Sequence, residues 1–411
     1  MTKRFTKLAL GAAAVLIVLI VGYAYRSDDS QIVSGNFMKD SKPYGGGDFA
    51  ISGNEAITLK IADPEITFKP YAEWKDKDKA EPAEAWMNDS REALNRTSVE
   101  LWRGPVGADM SRQFKQAGQN AAWWRTKDWT VVFISTGWMD HKSPQPADGL
   151  TPQSTKLWKS SNGGRDWVQL AWPENQNIGR LLFIDPQRGY AIGWGPHVWR
   201  TADGGQSWSE IAPPPGAVDS GKPRRTFDGV DLGPDGTLRV AYHVAQTASA
   251  PAGSVVYRLA WEQSAFVADA VLPGQVIVNL SSSPVASNHY ALYALTRVGE
   301  PRNFDDPADK GQRVGAISTW SNGAPEHVRQ LHSFDDNVTL DSLSVGRDGL
   351  LIVYATERKP NGAPADLMFV SRDAGTTWTR FKEKPTQGGY FNAETNTLYS
   401  LVAYTLRKRQ F

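Results

Sequence analysis

Short apolar and aromatic runs alternate with polar residues along most of this chain, and Gly, Asn, Asp and Pro separate the runs. Alternation with a period of two is the pattern of a half-buried β-strand, and such breaks predict tight turns. Six hairpins stand out, each opening on an apolar–aromatic strand. They begin near Leu101, Leu157, Val198, Val256, Ile317 and Met368. A second strand pair precedes each of the last five, which predicts four-stranded sheets repeated along the chain.

Three of these hairpins share one eight-residue turn with the pattern Ser/Thr-x-Asp/Asn-x-Gly-x-x-Trp. The copies occupy Ser160–Trp167, Thr201–Trp208 and Ser371–Trp378. The Asp or Asn oxygen can accept backbone N–H groups of the turn, and the Gly can take a left-handed conformation that a Cβ would penalise. The Trp can bury a large ring against the neighbouring strand. These structural positions are Asn162, Gly164, Trp167, Asp203, Gly205, Trp208, Asp373, Gly375 and Trp378.

This turn resembles the Asp-box (BNR) repeat of the sialidase-like β-propellers. The resemblance implies an all-β propeller of four-stranded blades, in which the turns staple the blade periphery. Over roughly residues 100–405 the arrangement is most similar to the non-catalytic branch of that superfamily, the photosystem II assembly-factor-like and sortilin-like repeat proteins. Members of that branch mostly act as binding or assembly platforms, so the resemblance implies a protein-binding role.

The number of blades depends on how the array closes. Two further strand pairs, at 48–61 and 388–404, flank the six hairpins. Joining both termini in one closing blade would protect the sheet edges and give seven blades, whereas completing the first hairpin with the C-terminal pair would give six. The sequence favours seven. Residues 63–98 interrupt the pattern, and Glu81–Leu94 predicts a short surface helix within the propeller at 48–411.

The N-terminus predicts the compartment. Lys3, Arg4 and Lys7 precede an apolar run from Leu8 to Tyr25, which as a helix would span about 27 Å, enough for one membrane crossing. Basic residues on the leading side favour a cytoplasmic N-terminus, with residues 1–26 as a signal anchor in a bacterial inner membrane and the body in the periplasm. The alternative is a signal peptide cleaved near Gly22–Ala24. Residues 27–47 are predicted to be a flexible tether.

Composition narrows the function. The 45 Lys and Arg against 44 Asp and Glu give a net charge of +1, which offers no field for nucleic acid or anionic lipid. The absence of cysteine excludes disulfides, thiolate metal sites, a Cys nucleophile and a lipoprotein anchor. The six His residues form no metal-binding pair, and no nucleotide fingerprint occurs. We therefore expect neither a cofactor nor a metal, although the acidic loop at 305–309 leaves calcium open.

The connections between strands predict where a ligand would bind. With each blade's strands numbered outward from the axis, the connections between second and third strands are long in most blades. They share one face with the blade-to-blade connections, opposite the repeated turns. Long loops often carry binding. The candidate residues for a protein partner in the envelope are Trp138, His141, Trp172, Arg224, Arg225, Arg302, Asp305, Asp306 and Arg358.

A catalytic sialidase relative would need an arginine triad, a Tyr nucleophile and an acid, together with a Phe/Tyr-Arg-Ile-Pro segment. No such segment occurs, and Arg180, Arg225 and Arg297 are only weak candidates for the triad. We therefore predict a non-catalytic platform, either an envelope assembly factor or an immunity protein that neutralises a toxin. The alternative is an exported glycoside hydrolase of the sialidase-like type, which would need paired carboxylates about 5–10 Å apart.

Overall fold

The computed structural model shows an all-β chain and describes nineteen stretches of it. They are residues 31–34, 48–62, 98–106, 108, 110–117, 120–125, 131–136, 155–172, 178–193, 195–217, 227–244, 253–284, 290–298, 314–322, 324–335, 337–358, 364–382, 388–402 and 405–411. The predicted anchor at 8–25 and the predicted helix at 81–94 lie outside these residues. Within them, no helix is long and apolar enough to span a bilayer.

The described strands form seven four-stranded antiparallel sheets, each of which is one blade. Blade 1 contains β2 (Asp48–Ser52), β3 (Glu55–Ala62), β4 (Ser98–Pro105) and β5 (Ser111–Ala117). Blade 2 contains β6 (Asn120–Arg125), β7 (Val131–Thr136), β8 (Thr155–Ser160) and β9 (Val168–Leu170). Blade 3 contains β10 (Ile178–Phe183), β11 (Gly189–Gly193), β12 (Val198–Thr201) and β13 (Ser209–Ile211). Blade 4 contains β14 (Gly229–Leu232), β15 (Leu238–Val244), β16 (Gly253–Leu259) and β17 (Val267–Pro273). Blade 5 contains β18 (Gln275–Ser282), β19 (Ala291–Val298), β20 (Val314–Ser321) and β21 (Ala324–Ser333). Blade 6 contains β22 (Val338–Val345), β23 (Leu351–Glu357), β24 (Ala365–Ser371) and β25 (Thr379–Lys382). The closing blade contains β26 (Gly388–Asn392), β27 (Thr397–Val402), β28 (Thr405–Gln410) and β1 (Gln31–Ser34).

The closing blade joins the two ends of the chain. Its order is β1-β28-β27-β26, and Gln31 pairs with Lys408. The described structure differs here from the predicted tether at 27–47, because residues 31–34 of that stretch are a strand. The pair at 48–61 is not part of the closing blade, because β2 and β3 form the inner half of blade 1 and β3 pairs with β4.

The core is divided among the blade interfaces. Seven clusters of buried apolar residues each lie between two neighbouring sheets, and together they follow the whole ring. The first strands of neighbouring blades contact one another, as for β6 with β10 and β14 with β18, so they are the innermost strands. The predicted all-β propeller of four-stranded blades is therefore confirmed.

The repeated turn uses the same hydrogen bonds in its three copies. In the second copy, Gly205 N–H donates to Thr201 Oγ1 (2.8 Å) and Ser207 N–H donates to Asp203 Oδ1 (2.9 Å). Equivalent bonds occur in the first and third copies. Gly205 has a φ of 94°, a backbone conformation that glycine adopts readily because it has no Cβ. Two side chains of the turn therefore accept hydrogen bonds from its own backbone N–H groups.

A Lys or Arg side chain at an equivalent position of the third strand links each of the first three blades to the next. Arg103, Lys159 and Arg200 each follow a Trp on the third strand of their blade. Arg103 donates to Gly163 O (2.7 Å), Lys159 to Pro186 O (2.8 Å) and Arg200 to Trp261 O (2.8 Å). Each acceptor belongs to the following blade, so these bonds stabilise adjacent sheets against separation.

Candidate functional site on the loop face

Strand order gives the propeller two unlike faces. The face that carries the turns from first to second and from third to fourth strands is called the turn face, and it includes the three repeated turns. The opposite, loop face carries the connections from second to third strands and from blade to blade. Five connections on the loop face are long, and by the strand bounds they are 63–97, 137–154, 245–252, 299–313 and 358–364. Most of their residues lie outside the described part of the chain.

The predicted binding residues fall mainly in those connections. Two groups of them, Trp138 with His141 and Arg302 with Asp305 and Asp306, lie outside the described residues. The same holds for Arg224 and Arg225 in the connection between blades 3 and 4. The structure describes only Trp172 and Arg358 from this set.

Trp172 packs inside a blade interface. Its ring meets Trp199 edge-on at 5.5 Å and Trp208 at 5.1 Å between ring centroids. All three contact the apolar cluster between blades 2 and 3, so Trp172 contributes to packing there, which differs from the partner-facing position predicted for it. Arg358 is exposed on the loop face, and its backbone N–H donates to Asn337 O (2.8 Å).

The arginines considered for a sialidase triad have structural partners. Arg180 on β10 donates to Val230 O (3.1 Å), and Arg297 on β19 donates to Leu340 O (3.4 Å). Each acceptor is on the innermost strand of the next blade. These two guanidinium groups thus bridge neighbouring blades, while Arg225 lies outside the described residues.

Three innermost strands are irregular near the loop face. The register shifts between Ile178 and Arg180 on β10, between residues 277 and 279 on β18, and between residues 340 and 342 on β22. Each shift falls in the first half of its strand, at the end nearer the loop face. A β-bulge redirects side chains and is frequent beside functional sites. On β22 the extra residue is Asp341, which is exposed.

Asp341 lines a cavity of about 420 Å³ between blade 6 and the closing blade. The size is within the range of small-ligand sites, which are about 300–1,000 Å³. The remaining lining residues are Ser342, Ser344, Tyr354, Ala355, Asp366, Leu367, Gly389, Phe391, Leu398 and Ser400. The wall from the closing blade is largely apolar or aromatic, and the wall from blade 6 is mainly polar.

Two carboxylates of this cavity are on the strands on either side of Thr356. Thr356 Oγ1 donates to Asp341 Oδ2 (2.9 Å), and Thr356 is directly opposite Asp366 in the ladder between β23 and β24. Directly opposite residues have Cβ atoms about 4.5–5.5 Å apart and share one face of the sheet. Asp341 and Asp366 therefore flank Thr356. Sequence analysis missed this pair because the two residues are in strands that only tertiary pairing brings together.

No group of three or more His, Asp or Glu side chains that could hold a metal occurs among the described residues. The acidic loop at 305–309, considered for calcium, lies outside them. The candidate site on the described part of the loop face is therefore the cavity with its two carboxylates.

Comparisons with known proteins support the fold alone. No family model matches the chain, and no curated protein matches it in sequence. The tricorn protease aligns with a TM-score of 0.50 and 7% identity over 74% of this chain and 31% of that one. YCF48 bound to a D1 peptide aligns at 0.49 and 12% over 77% and 90%, and the GH74 enzyme of Niastella koreensis at 0.40 and 13% over 86% and 62%.

Proposed function

We propose that this chain is a membrane-tethered, extracytoplasmic platform that binds a protein partner on its loop face. The observation that carries the proposal is the asymmetry of the two faces: the long connections emerge on one of them. Three inner strands are bulged near that same face, and one of the bulges carries Asp341 of the cavity. Loops on a rigid scaffold commonly carry binding residues, and long loops cost little stability.

The resemblance of the three repeated turns to Asp-boxes supports the same role. Backbone N–H groups of each turn donate to side chains of the same turn, and the three Trp rings pack in blade interfaces. That arrangement fits a structural motif away from the ligand. We therefore propose membership of the non-catalytic branch of the Asp-box propellers, with an envelope assembly factor or a toxin-neutralising immunity protein as the two forms of the role.

The proposed location rests on the apolar run from Leu8 to Tyr25 and the basic residues before it. A reporter that is active only in the cytoplasm, fused after Phe411, should stay silent in cells. A periplasm-active reporter at the same position is the matched control and should give signal. Strong activity of the cytoplasmic reporter would contradict an exported body.

Site-specific photo-crosslinking of the full chain tests the binding face. A benzoylphenylalanine at Arg358 or Trp138 on the loop face should give a discrete protein adduct in cells. The control position is Arg347, which is exposed on the turn face of the same blade as Arg358. The adduct is identified by mass spectrometry, and the purified partner is titrated onto the full chain. Equal adducts from both faces, or adducts from the turn face alone, would contradict the proposal.

A glycoside hydrolase is the second candidate, favoured by one observation. Asp341 and Asp366 flank Thr356 in a cavity, and glycosidases act through two carboxylates about 5–10 Å apart. The full chain would then hydrolyse aryl glycosides or polysaccharides, and Asp366→Asn would abolish turnover while leaving thermal stability unchanged. Absence of turnover across a broad glycoside panel would leave the platform as the proposed function.

A further inference from the structure

The strand that closes the ring determines where the predicted anchor joins the propeller. In the closing blade, β28 ends at the turn face, because Phe411 directly after it donates its N–H to Asn396 O (3.0 Å) in the turn between β26 and β27. β1 pairs antiparallel with β28, and Gln31 is opposite Lys408 near the end of β28. β1 therefore runs from the turn face to the loop face, and Gln31 begins it at the turn face.

The chain between the predicted anchor and β1 is short. Only residues 26–30 separate the end of the apolar run at Tyr25 from Gln31. A fully extended chain spans about 3.3–3.6 Å per residue, so the link from Tyr25 to Gln31 spans no more than about 22 Å. With the apolar run as the anchor, the turn-face rim of the closing blade would lie within that distance of the bilayer core.

The propeller is too tall for this link to reach around it. β28 has six residues and β22 of the neighbouring blade has eight, which at about 3.3 Å per residue separate the two faces by about 20–26 Å. The long connections of the loop face add to that height. If the loop face lay on the bilayer, the link would have to run along the whole outside of the closing blade, which exceeds its reach. With the turn face toward the bilayer, no such length is needed.

We infer that the turn face lies toward the bilayer and that the short link holds the loop face away from it. The loop face then fits an extracytoplasmic region of the partner and not a membrane-embedded one. This orientation rests on the proposed membrane-tethered platform and adds the direction in which the platform presents its binding face.

The described side chains at this part of the turn face favour a tether over a lipid-binding patch. The exposed charged side chains in the turns of blade 6 and the closing blade are of both signs; they are Arg347, Asp348, Arg372, Asp373 and Glu394. Among the described residues, the exposed large apolar side chains are on outer strands of blades 2 and 4 instead. Mixed charge without an apolar patch gives no preference for anionic lipid. We therefore expect the link alone to set the orientation.

The test measures how far two labelled positions lie from the membrane surface. The chain has no cysteine, so Arg347→Cys on the turn face and Arg358→Cys on the loop face each create a single labelling site. Both arginines are exposed and belong to blade 6, which makes them a matched pair. The full chain is reconstituted in phosphatidylcholine nanodiscs that contain an acceptor-labelled lipid. Energy transfer from a donor on the cysteine gives the distance of each site from the lipid surface.

We expect the label at position 347 to lie about 20 Å closer to the lipid surface than the label at position 358, since the seven residues of β23 separate them. Replacing part of the lipid by phosphatidylglycerol should leave that difference unchanged. The control for the link is a flexible Gly/Ser insertion of about 20 residues between Ser30 and Gln31, which gives a link with an r.m.s. length of about 25–30 Å. The insertion should reduce the difference between the two labels without changing the melting temperature, because it precedes β1.

The outcomes separate this orientation from the platform function. A turn-face label that is closer to the lipid, by a difference that the insertion reduces, supports the orientation. Equal distances, a closer loop-face label, a difference that the insertion leaves unchanged, or a difference that requires anionic lipid overturns it. A loop-face adduct that maps to a membrane-spanning segment of the partner also overturns it. A chain that does not associate with the nanodiscs overturns the orientation together with the tether, whereas crosslinking from Arg358 still tests binding on the loop face.

Discussion

A buried ion pair in blade 4, at the interface with blade 5, gives the most demanding test of how the propeller is stabilised. Arg239 is fully buried on β15, and its Nε donates to Asp269 Oδ2 (3.0 Å), whose side chain is 1% exposed. Its other nitrogens donate to Tyr290 OH (2.6 Å) and Asn322 Oδ1 (2.7 Å), both in blade 5. Tyr290 OH in turn donates to Asp235 Oδ1 (2.8 Å). Arg239 thus satisfies groups on two sheets.

The perturbation is Arg239→Met, which keeps the apolar stem and removes the charge. It leaves Asp269 buried with one remaining cation, Arg258, at 3.5 Å. Breaking a buried ion pair by removing one partner costs about 3–5 kcal/mol, because the other charge stays desolvated. Arg258→Met is the matched control. Because the Arg258 side chain is 38% exposed, its contribution should be only about 1 kcal/mol or less.

The assay is equilibrium unfolding of the full chain in urea, followed by tryptophan fluorescence. Arg239→Met should lower the free energy of unfolding by about 3–5 kcal/mol without changing the slope, and the double variant Arg239→Met/Asp269→Leu should recover part of that loss. The reasoning is refuted if Arg239→Met costs no more than Arg258→Met. It is also refuted if the double variant loses the full sum of the two single changes, since coupled residues are not additive.

Three further predictions concern the repeated turns and the loop face. The Ser207 hydroxyl bonded to Asp203 holds the pKa of that carboxyl at about 2, so its stabilising effect is present above the ordinary value of 3.8 and is lost as pH falls toward 2. Asp203→Ala should therefore lower the melting temperature at neutral pH and make it less sensitive to acid between those values, measured by thermal melts across pH. Lys159→Met removes two bonds to carbonyls of blade 3 and should cost about 1–3 kcal/mol in urea unfolding; no loss would contradict the inter-blade link. Trp138→Ala and Arg302→Ala should weaken capture of the native partner while changing stability by about 0.5 kcal/mol or less, and unchanged capture by both would contradict the loop-face assignment.

The sequence by itself determined the local structure. Period-two alternation predicted the strand pairs, and the turn pattern predicted a motif whose side chain, glycine and tryptophan all act within eight residues. Such features are local, because the hydrogen bonds that Asp203 accepts and the φ of Gly205 depend on neighbours along the chain. Repetition of that motif, through its resemblance to the Asp-box repeat, implied a propeller of four-stranded blades.

Tertiary structure decided how the ring closes and what meets at each blade interface. The pairing of β1 with β28 joins the two ends of the chain, and the four residues of β1 are too few for an alternating pattern to reveal it. Trp172 was expected at the partner-binding face because it lies in a blade-to-blade connection, yet it packs against Trp199 and Trp208 of the next blade. Asp341 and Asp366 flank Thr356 only because β22 and β24 pair with the two edges of β23. Local sequence patterns cannot predict such contacts, because the contacts join strands and blades that are distant in sequence.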